Sequence, residues 1–356
     1  MLLYIGIAIW PLYIQYLYKY RPLKIGNNRL KDNKYLVIAL FPIFIILAFR
    51  NGNMGADTGT YVLNFLYMID TPLELAIKFS RMEVGYLTFV KLLTYITHSG
   101  LIYQVICISF MIFCMYIFLR QFELEDALLY IYFYCTLGIF FFMFTGTRQC
   151  LAMSICLFSY QFLVRKKYFK FLMCILLAFF FHRSSVLFLS ILFIYNRKIS
   201  KVNVLVYSIL TIIVGKYLNI IQQWFNDKLE YNYGIESTGN GLIFFIILLL
   251  FTIFSIVMTY NCNKSLNANK YSRILMNINF ITLSLWFLRL YTRIAERPSY
   301  YFMFFSCIFY ANALNNIMDV KKRKIYKIII FILTMLLYVY RLNTNFKELI
   351  PYEIYN

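Results

Sequence analysis

The chain has 356 residues, of which 62% are hydrophobic, 21% aromatic and only 14% charged. That leaves too little polar side chain to cover a soluble domain of this size, which excludes a water-soluble globular protein. The formal charge of +20 does not indicate nucleic acid, because the basic residues cluster in short loops between apolar blocks, as the positive-inside rule and contact with anionic lipid require.

Read from the N-terminus, the apolar blocks predict a series of membrane-crossing helices, since about 20 residues at a 1.5 Å rise cross a hydrocarbon core of roughly 30 Å. Residues 2–18 have no Lys or Arg before them and no small-residue cleavage site after them, and read as a retained helix rather than a signal peptide. Residues 35–49 form the next span, after the basic stretch Lys19–Lys34. A segment poor in Lys and Arg then leads to a short apolar run, 84–97, which Lys91 interrupts. Residues 101–119 carry no charge, and 127–144 and 148–164 follow, up to the basic run Arg165–Lys170. Residues 168–181 and 184–195 are each short and flanked by basic loops, so they read as a hairpin whose turn carries His182. Spans at 203–221, 241–260, 274–290, 298–314 and 325–341 complete the series, with basic loops at 196–201, 264–273 and 321–327.

Placing the basic loops in the cytoplasm sets the parity. If 84–97 crossed, the Arg165–Lys170 loop would fall outside, so that segment reads as a re-entrant or interfacial helix. The expectation is an all-α, polytopic integral membrane protein of about 12 transmembrane helices with both termini outside. It forms a single transmembrane domain, 1–356, with external loops at about 50–83 and 222–240. The eight cysteines form no CxxC pair, and seven lie in apolar blocks. They read as small buried hydrophobes, not a disulfide framework or a metal site.

Ionisable groups inside or beside spans are costly in a bilayer and are the default functional candidates. Arg50 to Tyr61 reads RNGNMGADTGTY, where three glycines let backbone N–H groups approach a ligand and Asp57 and Arg50 supply opposite charges. A solvated turn is the plain alternative. Arg148 and Gln149 sit between FFFMF and CLAMSICLF; the planar guanidinium there suits phosphate oxygens or snorkels to an interface. His182 and Arg183 offer a general base or phosphate donors, against a satisfied structural histidine. Arg289, Arg293 and Arg297 are spaced by four with Glu296 between, which predicts guanidinium groups along one helical face, as a pyrophosphate pocket or a solvated helix end. Glu83, just before Gly85-Tyr86, orients a sugar hydroxyl, pairs with an arginine, or meets the dipole of a helix N-terminus.

In order and spacing, several elements together resemble the EpsG family, a Wzy-like group of exopolysaccharide, capsule and O-antigen polymerases. They are Arg50…Gly55-Ala-Asp57-Thr58…Tyr61, Glu83-x-Gly85-Tyr86, Gly146-Thr-Arg148-Gln149-x-x-Ala152, Ala178-x-x-x-His182-x-Ser184 and Arg293-Ile294. The resemblance runs from about residue 35 through the closing Pro351-Tyr352, and Arg183 after the histidine departs from it without breaking it. It implies a GT-C-like fold in the bacterial cytoplasmic membrane. The implied reaction moves a growing glycan from polyprenyl pyrophosphate to a lipid-linked oligosaccharide repeat unit at the external face. No cofactor and no metal are implied, in keeping with few clustered external carboxylates to bind Mg²⁺. On the reaction the resemblance implies, His182 or Asp57 is the general base, and Arg148 with Arg289 or Arg293 stabilises the leaving pyrophosphate. Arg50, Glu83, Gln149, Arg183, Arg289, Arg293 and Arg297 then bind substrate. The implied partners are the lipid-linked oligosaccharides, membrane lipid and a chain-length regulator.

Two other readings stay open. A flippase for the same lipid-linked unit suits many spans, but no inverted repeat is visible and the polar motifs collect on one side rather than at the midplane. An O-antigen ligase shares external arginines and a histidine and differs in its acceptor. A purely structural scaffold has no use for so many guanidinium groups in apolar surroundings.

Overall fold

The computed structural model describes residues 1–20, 28–229 and 241–355. The basic stretch at 21–27 and the 230–240 part of the expected external loop lie outside the described residues. The described chain is helical, with no strand among the described residues, only an isolated bridge between Arg50 and Ile354. It divides into two compact units, Met1–Val186 with Ile328–Asn356, and Leu187–Lys327.

In chain order the first unit begins with α1 (Leu2–Tyr20), α2 (Asn28–Ala48), α3 (Thr58–Asp70), α4 (Leu73–Phe79) and α5 (Val84–Thr94). Next come α6 (Gly100–Leu119), α7 (Leu124–Thr136), α8 (Ile139–Phe142), α9 (Thr147–Val164) and α10 (Tyr168–Phe181). A 3₁₀ helix, Arg183–Ser190, leads to α11 (Ile191–Ile194), α12 (Lys201–Leu229), α13 (Gly241–Asn263) and α14 (Lys270–Leu288). The chain ends with α15 (Glu296–Asn315) and α16 (Val320–Thr344).

Every apolar block expected to cross therefore coincides with helix, but only four described helices are long and apolar enough by themselves: α6, α12 over Lys201–Leu218, α13 and α16. The others are shorter, less apolar or more charged, so the expected twelve is not reached by this criterion. α5 has 11 residues, about 16 Å of helix, too short to cross the roughly 30 Å core. The stretch 50–83, expected as an external loop, contains α3 and α4. One expectation is corrected: the block 127–144 is not one helix but breaks after Thr136, where Gly138 takes a left-handed conformation (φ 91°). The Arg341 guanidinium occupies the space a Cβ at Gly138 would need, and its Nη1 donates to the Leu137 carbonyl at 2.8 Å. Only glycine holds that backbone without strain, and the arginine satisfies a carbonyl left open at the helix end.

α7 is buried on nearly every face and so sits at the centre of the first unit. Its surroundings are aromatic and hydrogen-bonded: Tyr132 Oη lies 2.7 Å from Thr334 Oγ1 on α16, and Tyr338 donates to the Tyr4 carbonyl. Such polar contacts join helices where apolar burial alone discriminates poorly. The C-terminal tail pairs with the end of α2, with Asn51 N–H donating to Glu353 O at 2.8 Å and Tyr355 N–H to Phe49 O at 2.9 Å. In the second unit α14 and α15 form an antiparallel pair with polar rungs along its length. These are Ser272–Asn312 at 3.1 Å, Tyr310–Asn279 at 3.0 Å, Ser306–Thr282 at 2.9 Å and Arg289–Glu296 at 2.8 Å.

Candidate functional site

The short helix α5 begins with Glu83 in an extended conformation, and the Glu83 carboxylate makes no hydrogen bond to its own helix end. It turns instead into the protein, where its side chain is 4% exposed. Gly85 allows this, because a Cβ there would meet Phe180 Cβ at 2.6 Å and the Phe180 carbonyl oxygen at 2.8 Å. The start of α5 thus lies against the end of α10, which carries His182. Glu83 Oε1 accepts the Arg183 backbone N–H at 3.2 Å and lies 3.2 Å from His182 Nδ1. Glu83 Oε2 accepts Nη1 of Arg148 at 2.5 Å.

Arg148 enters from the first turn of α9 and is held on several sides. Its Nε donates to Tyr61 Oη at 3.4 Å, and its guanidinium carbon stands 5.9 Å from the Tyr61 ring and 6.0 Å from the Tyr86 ring. Cation–π attraction adds to the charge pair here. Tyr86 Oη in turn lies 2.8 Å from Tyr103 Oη on α6. These contacts engage Nε and Nη1 of Arg148, and the side chain stays 21% exposed. The turn before Arg148 is positioned by the 50–58 loop: Thr58 Oγ1 donates to the Phe144 carbonyl. Gly55, at φ 94°, lies so close to that carbonyl that a Cβ would collide with it.

Arg50 is 1% exposed and faces inward. It donates to the Leu47 carbonyl and, at 3.4 Å, to Thr58 Oγ1, and lies over the Phe144 ring at 5.3 Å. Its own carbonyl accepts Nε2 of Gln104 at 2.9 Å. In this position it braces the loop from behind. Asp57 heads α3, one turn before Tyr61, without capping that helix through its side chain. Gln149 is buried on α9, and the Arg183 side chain is exposed.

One carboxylate therefore faces a guanidinium and an imidazole. Burial raises the Glu83 carboxyl, but the His182 contact, the Arg148 charge and the Arg183 N–H outweigh it and bring it to about 2. Glu83 stays ionised across the physiological range.

The arginines of the second unit are arranged differently from the expectation. Residues 289–297 are not one helical face: α14 ends at Leu288, a 3₁₀ turn spans Arg293–Ala295, and α15 starts at Glu296. The chain reverses there to form the antiparallel pair, so helical spacing does not hold across the turn. Arg289 is 7% exposed, with Nε donating to Glu296 Oε2 at 2.8 Å, and Glu296 also accepts Tyr300 Oη at 3.1 Å. Arg293 and Arg297 are exposed. Among the described residues no group of three or more His, Cys, Asp or Glu side chains is placed to hold a metal ion.

The sequence alone did not single out Tyr103, Gln104 or Arg341. Gln104 and Arg341 carried a signal, Gln104 as the one amide in apolar α6 and Arg341 as the one charged residue of α16 after Lys327. Tyr103 carried none.

Apolar helices around a buried ionic cluster define a multi-pass membrane protein. The EpsG family model matches residues 33–354, nearly the whole chain, and the chain belongs to the EpsG family, among exopolysaccharide-related membrane proteins. No curated protein and no solved structure matches it.

Proposed function

We propose that this chain is a polysaccharide polymerase of the bacterial cytoplasmic membrane. It moves a growing glycan from polyprenyl pyrophosphate onto a lipid-linked repeat unit at the external face. The observation that carries this reading is the buried carboxylate of Glu83 between Arg148 and His182, a combination of acid–base and anion-binding groups with no packing need in an apolar bundle. Family membership supports it.

An acceptor hydroxyl attacks the anomeric carbon of the donor sugar while the bond from that carbon to the pyrophosphate oxygen breaks. The acceptor proton passes to His182 Nε2, since Nδ1 faces Glu83. The bond electrons leave with the lipid pyrophosphate, and its growing negative charge is met by Arg148, already fixed by Glu83 and the two tyrosine rings. Arg183, exposed beside the cluster, draws in the phosphates, and Asp57 is the second candidate base. Arg50 serves as a brace rather than a ligand. Arg289, Arg293 and Arg297 form a separate anion-binding group on the second unit, and a chain-length regulator acts on the product.

Within the first unit, α1, α6 and α9 end beside Lys19, Arg120 and Arg165, and α9 carries Arg148 in its first turn, a helix length from that basic end. With the basic ends in the cytoplasm, as the positive-inside rule expects, the cluster faces outside in this reading. The test is to delete the gene and restore either the wild-type or the Arg148→Ala chain. Deletion should leave single repeat units on the outer leaflet with no ladder of longer chains, and Arg148→Ala should fail to restore the ladder while reaching the membrane. A normal ladder from Arg148→Ala would sink the leaving-group role, and units trapped on the inner leaflet would indicate a flippase.

A further inference from the structure

At the basic end of the second unit, α12 and α14 part to leave a groove of about 680 Å³. Val204, Leu205 and Ser208 of α12 and Met276 and Phe280 of α14 line it, together with Ile256 of α13. On α12 these positions fall at helical spacing on one face, continuing the line from Lys201 at the groove's mouth. α12 has little protein around it: over Lys201–Leu218 only 6% of the helix is buried.

The mouth is built by two loops held together. The Asn267 side chain accepts Ile199 N–H at 2.8 Å and donates to Ile199 O at 2.9 Å. The Arg273 guanidinium donates to Asn196 Oδ1 at 3.1 Å and Asn277 to Arg197 O at 2.8 Å. These loops, 196–201 and 264–273, carry Arg197, Lys198, Lys201, Lys264, Lys270 and Arg273 and no acidic residue. The lysines are exposed. An apolar slot that ends at a rim of positive charge suits a molecule with a hydrocarbon chain and an anionic phosphate head.

We propose that this groove is a binding site for an anionic phospholipid of the inner leaflet, the acyl chain lying between α12 and α14 and the phosphate paired with Lys201 at the mouth. Basic pockets between membrane helices on the cytoplasmic side take such headgroups. The bound lipid would fill the space beside α12 that the protein leaves open. The site shares no residue with the Glu83 cluster and stands or falls independently of the proposed reaction.

The test uses the purified full chain in detergent, with phosphatidylglycerol and phosphatidylcholine of identical acyl chains, and in a second mixture phosphatidylglycerol and polyprenyl phosphate, added in competition and retained lipid read by native mass spectrometry. Wild type should retain phosphatidylglycerol preferentially. Lys201→Gln should cut that preference about fivefold, the worth of one lysine at an anionic surface. Ser208→Trp, which fills the groove, should reduce retention of both lipids. Equal retention of the two lipids by wild type would overturn the proposal, as would preferential retention of polyprenyl phosphate over phosphatidylglycerol. Wild-type retention in Ser208→Trp would overturn it too. Both variants must elute and melt like wild type, and if Ser208→Trp does not, Ser208→Leu fills the same space with less bulk.

Discussion

Glu83 meets Arg148 and His182 with one oxygen for each, and its burial makes the pairing consequential. Replacing it with glutamine leaves the Arg148 charge in a mostly enclosed place without its partner, a loss of about 3 kcal/mol by analogy with broken buried pairs. The cost should vary with pH in a definite sense. The folded-state carboxyl lies near 2, below its ordinary 4.5, so its stabilising effect is complete above pH 4.5 and fades as pH falls toward 2. Thermal unfolding of wild type and Glu83→Gln should therefore differ most at pH 7 and converge toward pH 3; a gap that widens in acid would contradict the pairing. His182→Ala should reduce polymerisation on the order of 10²–10⁴-fold if the imidazole takes the acceptor proton, measured as chain elongation per unit of protein. The three groups were legible in the sequence because ionisable residues are rare in apolar blocks. The tyrosines that cage Arg148 were harder to see, since the chain has 33 tyrosines and nothing in their spacing marks these.

At the scale of elements, the site depends on close backbone approaches. Gly85→Ala places a methyl group against the Phe180 backbone, and overpacking of this kind costs about 1–3 kcal/mol. Because it moves Glu83 away from His182, elongation should fall more than the amount of folded protein does; equal falls would mean that Gly85 serves packing alone. The break between α7 and α8 makes a second test. Arg341→Met leaves the Leu137 carbonyl without its donor, which costs about 1–3 kcal/mol and should lower the melting temperature in detergent. Helix positions were readable from apolar blocks, but this break was not, because LGIFFFMF remains apolar throughout and glycine is common in membrane helices. α3 and α4 were missed for the opposite reason: a region poor in Lys and Arg reads as external, and sidedness says nothing about whether a segment is helical.

At the scale of the whole molecule, polymerisation at the external face requires that the Glu83 end of the first unit face outward. A membrane-impermeant thiol reagent applied to intact cells should label Arg81→Cys, which sits in the exposed approach to α5, and should reach Lys167→Cys only after lysis. The reverse pattern would invert the topology and place the site in the cytoplasm. The family was legible in the motifs, and the charge pattern supplies the sidedness that this labelling tests, whereas the number of crossings stayed beyond reach of hydropathy. Several helices, α9 and α15 among them, mix polar residues into buried faces, and a window average does not separate a crossing helix of that kind from a soluble one.

The most direct measurement is to place the purified chain in lipid vesicles with lipid-linked repeat units and no other protein. A polymerase should build a ladder of longer glycans on the lipid, with one polyprenyl pyrophosphate released per unit joined, and no ladder should form with Arg148→Ala or His182→Ala. Repeat units that move across the bilayer without lengthening, or a ladder that persists in both variants, would contradict this reading.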